Sequence, residues 1–339
     1  MRFSRSPSPR EARGGPGWGA IVVIALAALT GVRAEDAPPE GYERIVTPDL
    51  VVDRRPRDAV LARGAMALFA ESRGVVEARL GAKLGDPPPR LVLTSSDADF
   101  RERHLELAGT PPASWALAIA VPSKRVMVLR ADRLAAGNDF LEPTLRHELA
   151  HLVLGAVARR SGHALPRWLD EGLAMYAENA AFTRSDELEL GAAAQAGTLE
   201  TFASLERNFP PHAPQAERAY KMSLGFVLWL DRKPGGAHAI VAKIDAGARP
   251  EDAVREVAGE PAGEAEAEWK LDLAARSSVF ESLVRSSTFW WGMVSVLALL
   301  AFLRQAILTR RLRKKMERAE MLDEAPHPKP PPASPGEGD

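Results

Sequence analysis

Apolar residues recur every three to four positions over residues 57–84, at Val60, Leu61, Met66, Leu68, Phe69, Val75, Val76 and Leu80. That spacing predicts an amphipathic helix. Gly81 to Pro89, with three consecutive prolines, ends it. Before this helix, Tyr42 to Asp53 is rich in Val and Ile and reads as one β-like run. After it, Leu91-Val92-Leu93 reads as a short buried strand and residues 97–108 as a second helix. Two apolar runs follow, Trp115–Val121 and Val126–Arg130, and Pro122-Ser123-Lys124 between them predicts a hairpin turn. From Phe140 onward the pattern is mainly helical, interrupted at Pro210-Pro211, Pro214 and Pro234-Gly235-Gly236, with Trp269 in the last helix. Mixed strands and helices first, helices afterwards, predict an α+β domain with segregated parts.

Two stretches are apolar without periodic relief. Trp18 to Val32 follows Arg2, Arg5, Arg10 and Arg13 and precedes Val32-Arg33-Ala34. A basic start, a short apolar centre and a small-x-small exit predict a signal peptide over residues 1–34, cleaved after Ala34; an uncleaved anchor is the alternative. Phe289 to Leu303 has Trp290 and Trp291 at one end and Arg304, Arg310, Arg311, Arg313, Lys314, Lys315 and Arg318 at the other. Interfacial aromatics and a basic flank predict a transmembrane helix over 287–308 with its basic end in the cytoplasm, against the alternative of a buried core helix. The expected layout is then a linker at 35–41, an exported domain at 42–280, the span, and a basic then proline-rich cytoplasmic tail at 309–339. The expected partner of the span is the lipid bilayer.

Composition narrows the chemistry. Lys+Arg number 44 and Asp+Glu 45, so the balance gives no reason to expect nucleic acid as a partner. The chain has no cysteine, so any metal must be held by His, Asp or Glu.

His147-Glu148-Leu149-Ala150-His151 is an H-E-x-x-H motif. On a helix, residues i and i+4 share a face, so the two histidines can approach one ion. Glu148 lies one position round, where it reaches a water at that ion without competing as a ligand. Pro143 to Arg146 supplies a plausible first turn, and Leu145, Leu149, Leu152, Val153 and Ala156 an apolar stripe, with Gly162 as a stop. Glu171, in Pro166-Arg167-Trp168-Leu169-Asp170-Glu171-Gly172, is the candidate third ligand. Gly172 would let that helix approach the H-E-x-x-H helix closely. Two histidines and a carboxylate leave a fourth position open, the arrangement of a catalytic zinc site with one ion per chain. Asp170 and Glu178 read as solvated or capping residues, with hydrogen bonds to the ligand histidines as the alternative. His104, His163, His212, His238 and His327 show no ligand spacing and read as surface or core residues.

The motif and the following WLDEGLA resemble the gluzincins, the group of thermolysin and the zinc aminopeptidases. The interval from His151 to Glu171 looks like the thermolysin type, and W-L-D-E-G more like the aminopeptidase side. Residues from about 42 to 275 are similar to the bacterial peptidase MA-like family. Its Y-x-x-S-x-x-F-V-x-x-L helix is matched from Tyr220 to Leu230, and its closing helical segment ends near Trp269. The resemblance implies a zincin-like fold, a small twisted mixed sheet packed on the H-E-x-x-H helix. An edge strand in the Trp115–Arg130 hairpin would line the cleft, where an extended peptide can add by main-chain hydrogen bonds.

The site predicts a membrane-anchored zinc metallopeptidase acting on a peptide or protein substrate outside the cytoplasm of a bacterial cell. His147, His151 and Glu171 hold zinc, and Glu148 is the general base. Tyr220, by its place in the family-like helix, is the candidate donor to the oxyanion, or else an ordinary packed tyrosine. The competing reading is a binding or scaffold protein that keeps the fold without turnover; an intact Glu148 weighs against it. An intramembrane protease is disfavoured, because the motif is flanked by Arg146, Arg159 and Arg160 and lies far from the span.

Overall fold

The computed structural model describes residues 37–113, 115–134, 140–210, 213–277 and 287–323. The expected signal peptide at 1–34 and the end of the tail from 324 lie outside the described residues. The chain divides into two units, up to Ser277 and from Ser278 onward.

The first unit opens with β1 (Glu43–Val46) and β2 (Val51–Arg54), paired antiparallel. The β-like run read as one segment is therefore a hairpin. Pro48-Asp49 turns it, and the Thr47 side chain secures the turn by accepting from the Leu50 amide at 3.0 Å and donating to its carbonyl at 2.8 Å. A short 3-10 turn at Pro56–Asp58 leads into α1 (Ala59–Leu80), which ends at Gly81 in left-handed conformation, φ 66°. Val60, expected on the apolar stripe, is exposed at the start of α1, while Leu61, Phe69, Val76 and Leu80 are buried. Strand β3 (Arg90–Thr94), α2 (Asp97–Ala108), β4 (Ala118–Val121), β5 (Val126–Arg130) and the single turn α3 (Ala131–Leu134) follow. The strand in the Trp115–Val121 run thus spans only its last four residues.

The sheet order is β1-β2-β3-β5-β4, with β2, β3 and β5 parallel and antiparallel strands at both edges. Its two faces follow the strand period of two. Leu91, Leu93, Met127 and Leu129 point into the main core, while Val92, Val126 and Val128 pack with Tyr42 and Phe100 on the other side. Burial on both faces explains why the inner strands read as unbroken apolar runs.

Helix α4 (Leu141–Ser161) carries the H-E-x-x-H motif and stops at Gly162, φ 75°. Its neighbour across the chain is the β4–β5 turn. A Cβ at Gly155 would lie 2.2 Å from Pro122 Cβ, and Arg159 donates to the Pro122 carbonyl at 2.6 Å. This contact sets edge strand β4 beside the motif helix.

The remaining helices of this unit are α5 (Arg167–Glu178), α6 (Arg184–Gln195), α7 (Phe202–Arg207), α8 (Ala213–Asp231), α9 (Gly236–Asp245), α10 (Pro250–Ala258) and α11 (Ala262–Arg276). Trp168 of α5, Phe202 of α7, Phe226 and Trp229 of α8 and Trp269 of α11 form one aromatic cluster, with neighbouring centroids 4.5–5.7 Å apart. Such contacts tie α5, the helix of Glu171, into the helical half. Gly172 corrects the expectation from sequence. A Cβ there would lie 2.6 Å from the Ser223 carbonyl oxygen and 2.8 Å from Val227. The close approach that needs glycine is between α5 and α8, the helix of Tyr220, rather than between α5 and α4.

The second unit is described as one helix, α12 (Ser287–Asp323). Its stretch Thr288–Lys314 has the length and composition to cross a membrane.

Candidate metal centre

The motif helix α4 is held in the core by Leu145, Leu149, Leu152 and Val153, none with any exposed surface. One face is thereby fixed toward α5. His147 Nδ1 is 2.9 Å from Glu178 Oε2, and His151 Nδ1 is 2.9 Å from Asp170 Oδ2. Pairing 147 with 178 and 151 with 170 means that α4 and α5 run antiparallel at this point. Asp170 and Glu178 are therefore hydrogen-bond partners of the two histidines, not the solvated or capping residues favoured from sequence. One signal was available for Glu178: it stands seven positions after Glu171, two helical turns along the same face.

Ionised carboxylates only accept, so in its neutral form each histidine carries its hydrogen on Nδ1 and presents a bare lone pair on Nε2. The two Nε2 atoms face each other at 3.1 Å. Glu171 Oε2 is 3.7 Å from the first and 3.5 Å from the second. Three acceptors converging on one point repel one another unless a cation sits between them. A point equidistant from the three is about 2.0 Å from each, which matches ordinary Zn–N and Zn–O bonds. Among the described residues, His147, His151 and Glu171 are the group that brings ligand atoms together in this way. The donor set fits a zinc ion with its fourth position open.

The electrostatics agree with that fit. Burial disfavours charge on both rings, yet the Glu171 and Glu178 carboxylates beside His147 outweigh it, and its pKa rises to about 9. His151 is also raised well above its ordinary value, by Asp170 and Glu171 against the opposing effect of burial. Burial pushes Glu171 up, but the two histidines hold it far below the usual carboxylate range.

Glu148 is adjacent in sequence but lies outside the triangle. Only 6% of its surface is exposed, and burial raises its pKa while the two histidines pull the other way. Tyr220 comes to the same place from α8. Its ring meets Trp115 edge-on at 6.0 Å and Phe209 at 5.3 Å. Burial and then the charge on Glu171 raise its pKa, so its hydroxyl keeps the hydrogen it would donate. Arg167 escaped the sequence reading: its Nε is 3.5 Å from Glu171 Oε1, one helical turn away.

A sequence profile of the Peptidase MA superfamily matches residues 103–275, just over half of the chain. The chain belongs to the Peptidase MA superfamily. The matched region begins inside α2, contains β4, β5 and the helices from α3 to α10, and ends within α11, hence it covers the helices of His147, His151 and Glu171. Strands β1 to β3 lie before it. No curated protein is significantly similar to the chain. Membership of the Peptidase MA superfamily points to a peptidase-like hydrolase acting on protein or peptide, in a superfamily that is generally metal-dependent.

Proposed function

We propose that this chain is a membrane-anchored zinc metallopeptidase of the gluzincin type. The observation that carries the reading is the convergence of two Nε2 atoms and one Glu171 oxygen at metal-ligand separation. His147, His151 and Glu171 would hold zinc, with Glu178 and Asp170 fixing the tautomer and tilt of the rings. Zinc, when bound, supplies Lewis-acid polarisation of a carbonyl and acidifies a water.

The chain's own residues supply the rest. Glu148 takes the proton of the attacking water and passes it to the leaving amine; its raised proton affinity suits a group that must hold the proton between those two events. Tyr220 donates to the oxyanion that develops on the scissile carbonyl. The outer edge of β4, beside α4, gives an extended peptide a partner for main-chain hydrogen bonds. In this reading residues 1–34 direct export, 42–280 form the catalytic domain outside the cytoplasm, and α12 anchors it. The basic residues after Leu303 lie on the cytoplasmic side.

The test is zinc content and peptide turnover of the purified chain beside Glu148→Gln and His151→Ala. About one zinc per chain is expected, lost in His151→Ala. Glu148→Gln should keep the zinc and lose about 10²–10⁴-fold in turnover. Full turnover in Glu148→Gln would remove the general base. Zinc bound without turnover of any peptide in a library would leave a binding protein as the better account.

A further inference from the structure

We propose that Arg167 is a positioning residue: it holds the Glu171 carboxylate so that one oxygen alone is offered to the metal, and it ties that ligand to Tyr220. The inference rests on the zinc reading above. It starts from how Glu171 divides its oxygens. Oε2 faces both histidines, while Oε1 is turned to Arg167 Nε at 3.5 Å.

Arg167 is half-exposed, yet it is held from several sides. Its backbone N–H donates to Glu206 Oε2 at 2.7 Å, which fixes the first turn of α5 against α7. Its guanidinium carbon lies 4.1 Å from the centroid of the Phe209 ring, a cation–π seat. Phe209 in turn meets Tyr220 at 5.3 Å. The guanidinium charge also works against the rise that burial imposes on the Tyr220 phenol. One side chain therefore pairs with the free oxygen of Glu171 and packs on Phe209, the ring that meets the candidate oxyanion donor.

The consequence is geometric. A carboxylate with both oxygens free can swing to chelate an ion with both and crowd its open position. A fixed positive charge beside Oε1 keeps that oxygen turned away. A half-exposed ion pair one turn apart on a helix contributes little to stability, so losing it should be felt at the metal rather than in the fold.

The experiment uses the full chain in detergent, as wild type, Arg167→Met, Arg167→Gln and Arg167→Lys. Zinc affinity is read by chelator competition, ligand geometry by the visible spectrum of the cobalt(II)-loaded protein, and folding by circular dichroism. With the fold unchanged, Arg167→Met should lose about tenfold or more in zinc affinity. Its cobalt bands should weaken as the second carboxylate oxygen coordinates. Turnover should fall in kcat more than in KM, and Arg167→Lys should recover most of the zinc affinity. Arg167→Gln is expected to behave as Met does and replaces it if the Met variant does not fold. Wild-type zinc affinity and an unchanged cobalt spectrum in folded Arg167→Met or Arg167→Gln would overturn the inference and leave the metal reading standing. A folded wild type that binds neither zinc nor cobalt would overturn the metal reading itself, and this inference with it.

Discussion

Helices α4 and α12 are both apolar over several turns, and their polar residues are arranged in different ways. In α4, Leu145, Leu149, Leu152, Val153, Leu154 and Val157 have no exposed surface. In α12, the stretch Thr288–Lys314, mean hydropathy 1.8, has the length and composition to cross a membrane. Apolar content alone does not say which medium a helix is built for. The polar residues do. In α4 the two histidines stand at i and i+4 and find carboxylate partners on α5, so these side chains are satisfied although the helix is buried. The polar residues of α12 collect at its ends, tryptophans before and arginines and lysines after, which suits a helix whose middle lies in hydrocarbon.

A matched pair of substitutions would break this comparison if it is wrong. Leu149→Arg places an unpaired charge in the core of the first unit and should cost more than about 4 kcal/mol, enough to abolish its cooperative unfolding transition. Leu299→Arg in α12 should leave that transition where it is. It should instead weaken membrane partition by about 2.5–3.5 kcal/mol, read by flotation with liposomes. A shifted unfolding midpoint in Leu299→Arg would mean that α12 belongs to the fold of the first unit.

A smaller effect sharpens the account of α4 and its partners. Gly172→Ala adds a Cβ against the Ser223 carbonyl, on the backbone of α8, which cannot move as a side chain can. We expect about 1–3 kcal/mol of destabilisation in urea titration, with a further loss of turnover because α5 carries Glu171 and α8 carries Tyr220. Unchanged stability would show that the two helices can separate without cost.

The smallest effect expected is with pH. Burial raises Glu77, but hydrogen bonds from Lys83, Arg73 and the Leu84 amide outweigh it and hold its pKa below the ordinary value. Asp99 is likewise lowered, by Tyr42, the Ser95 amide and Arg55 against burial. A depressed folded pKa contributes stability that is complete above the unfolded pKa and is lost as pH falls through the folded one. The contribution of these two carboxylates to the unfolding midpoint of the first unit should therefore be complete on the neutral side of about pH 5 and be lost in acid. Partition of α12 into neutral-lipid vesicles should not follow it. A midpoint that rises in acid would reverse the sign assigned to these carboxylates.

Much of this was legible in the sequence because it is local. The period of apolar residues, the prolines and the glycine stops placed α2 at residues 97–108 and ended α4 at Gly162, since backbone geometry along one segment decides both. The spacing of His147 and His151, and Glu171 twenty positions on, named the cluster that the fold brings together. The same reasoning overlooked the turn at Pro48-Asp49, because Val and Ile on both sides read as one run.

What the sequence by itself determined about this protein is therefore the helical or extended character of most segments, which residues can face one ion, and that the last helix holds a stretch with the length and composition to cross a membrane. Only the tertiary structure decided who meets whom. It set Glu178 on His147 and Asp170 on His151, matched Gly172 to α8 instead of α4, seated Pro122 on Gly155, and turned Arg167 toward the free oxygen of Glu171. Those pairings join separate elements, or depend on how a helix is turned within its packing. They are fixed by the shape of packed surfaces, which no periodicity along a single segment records.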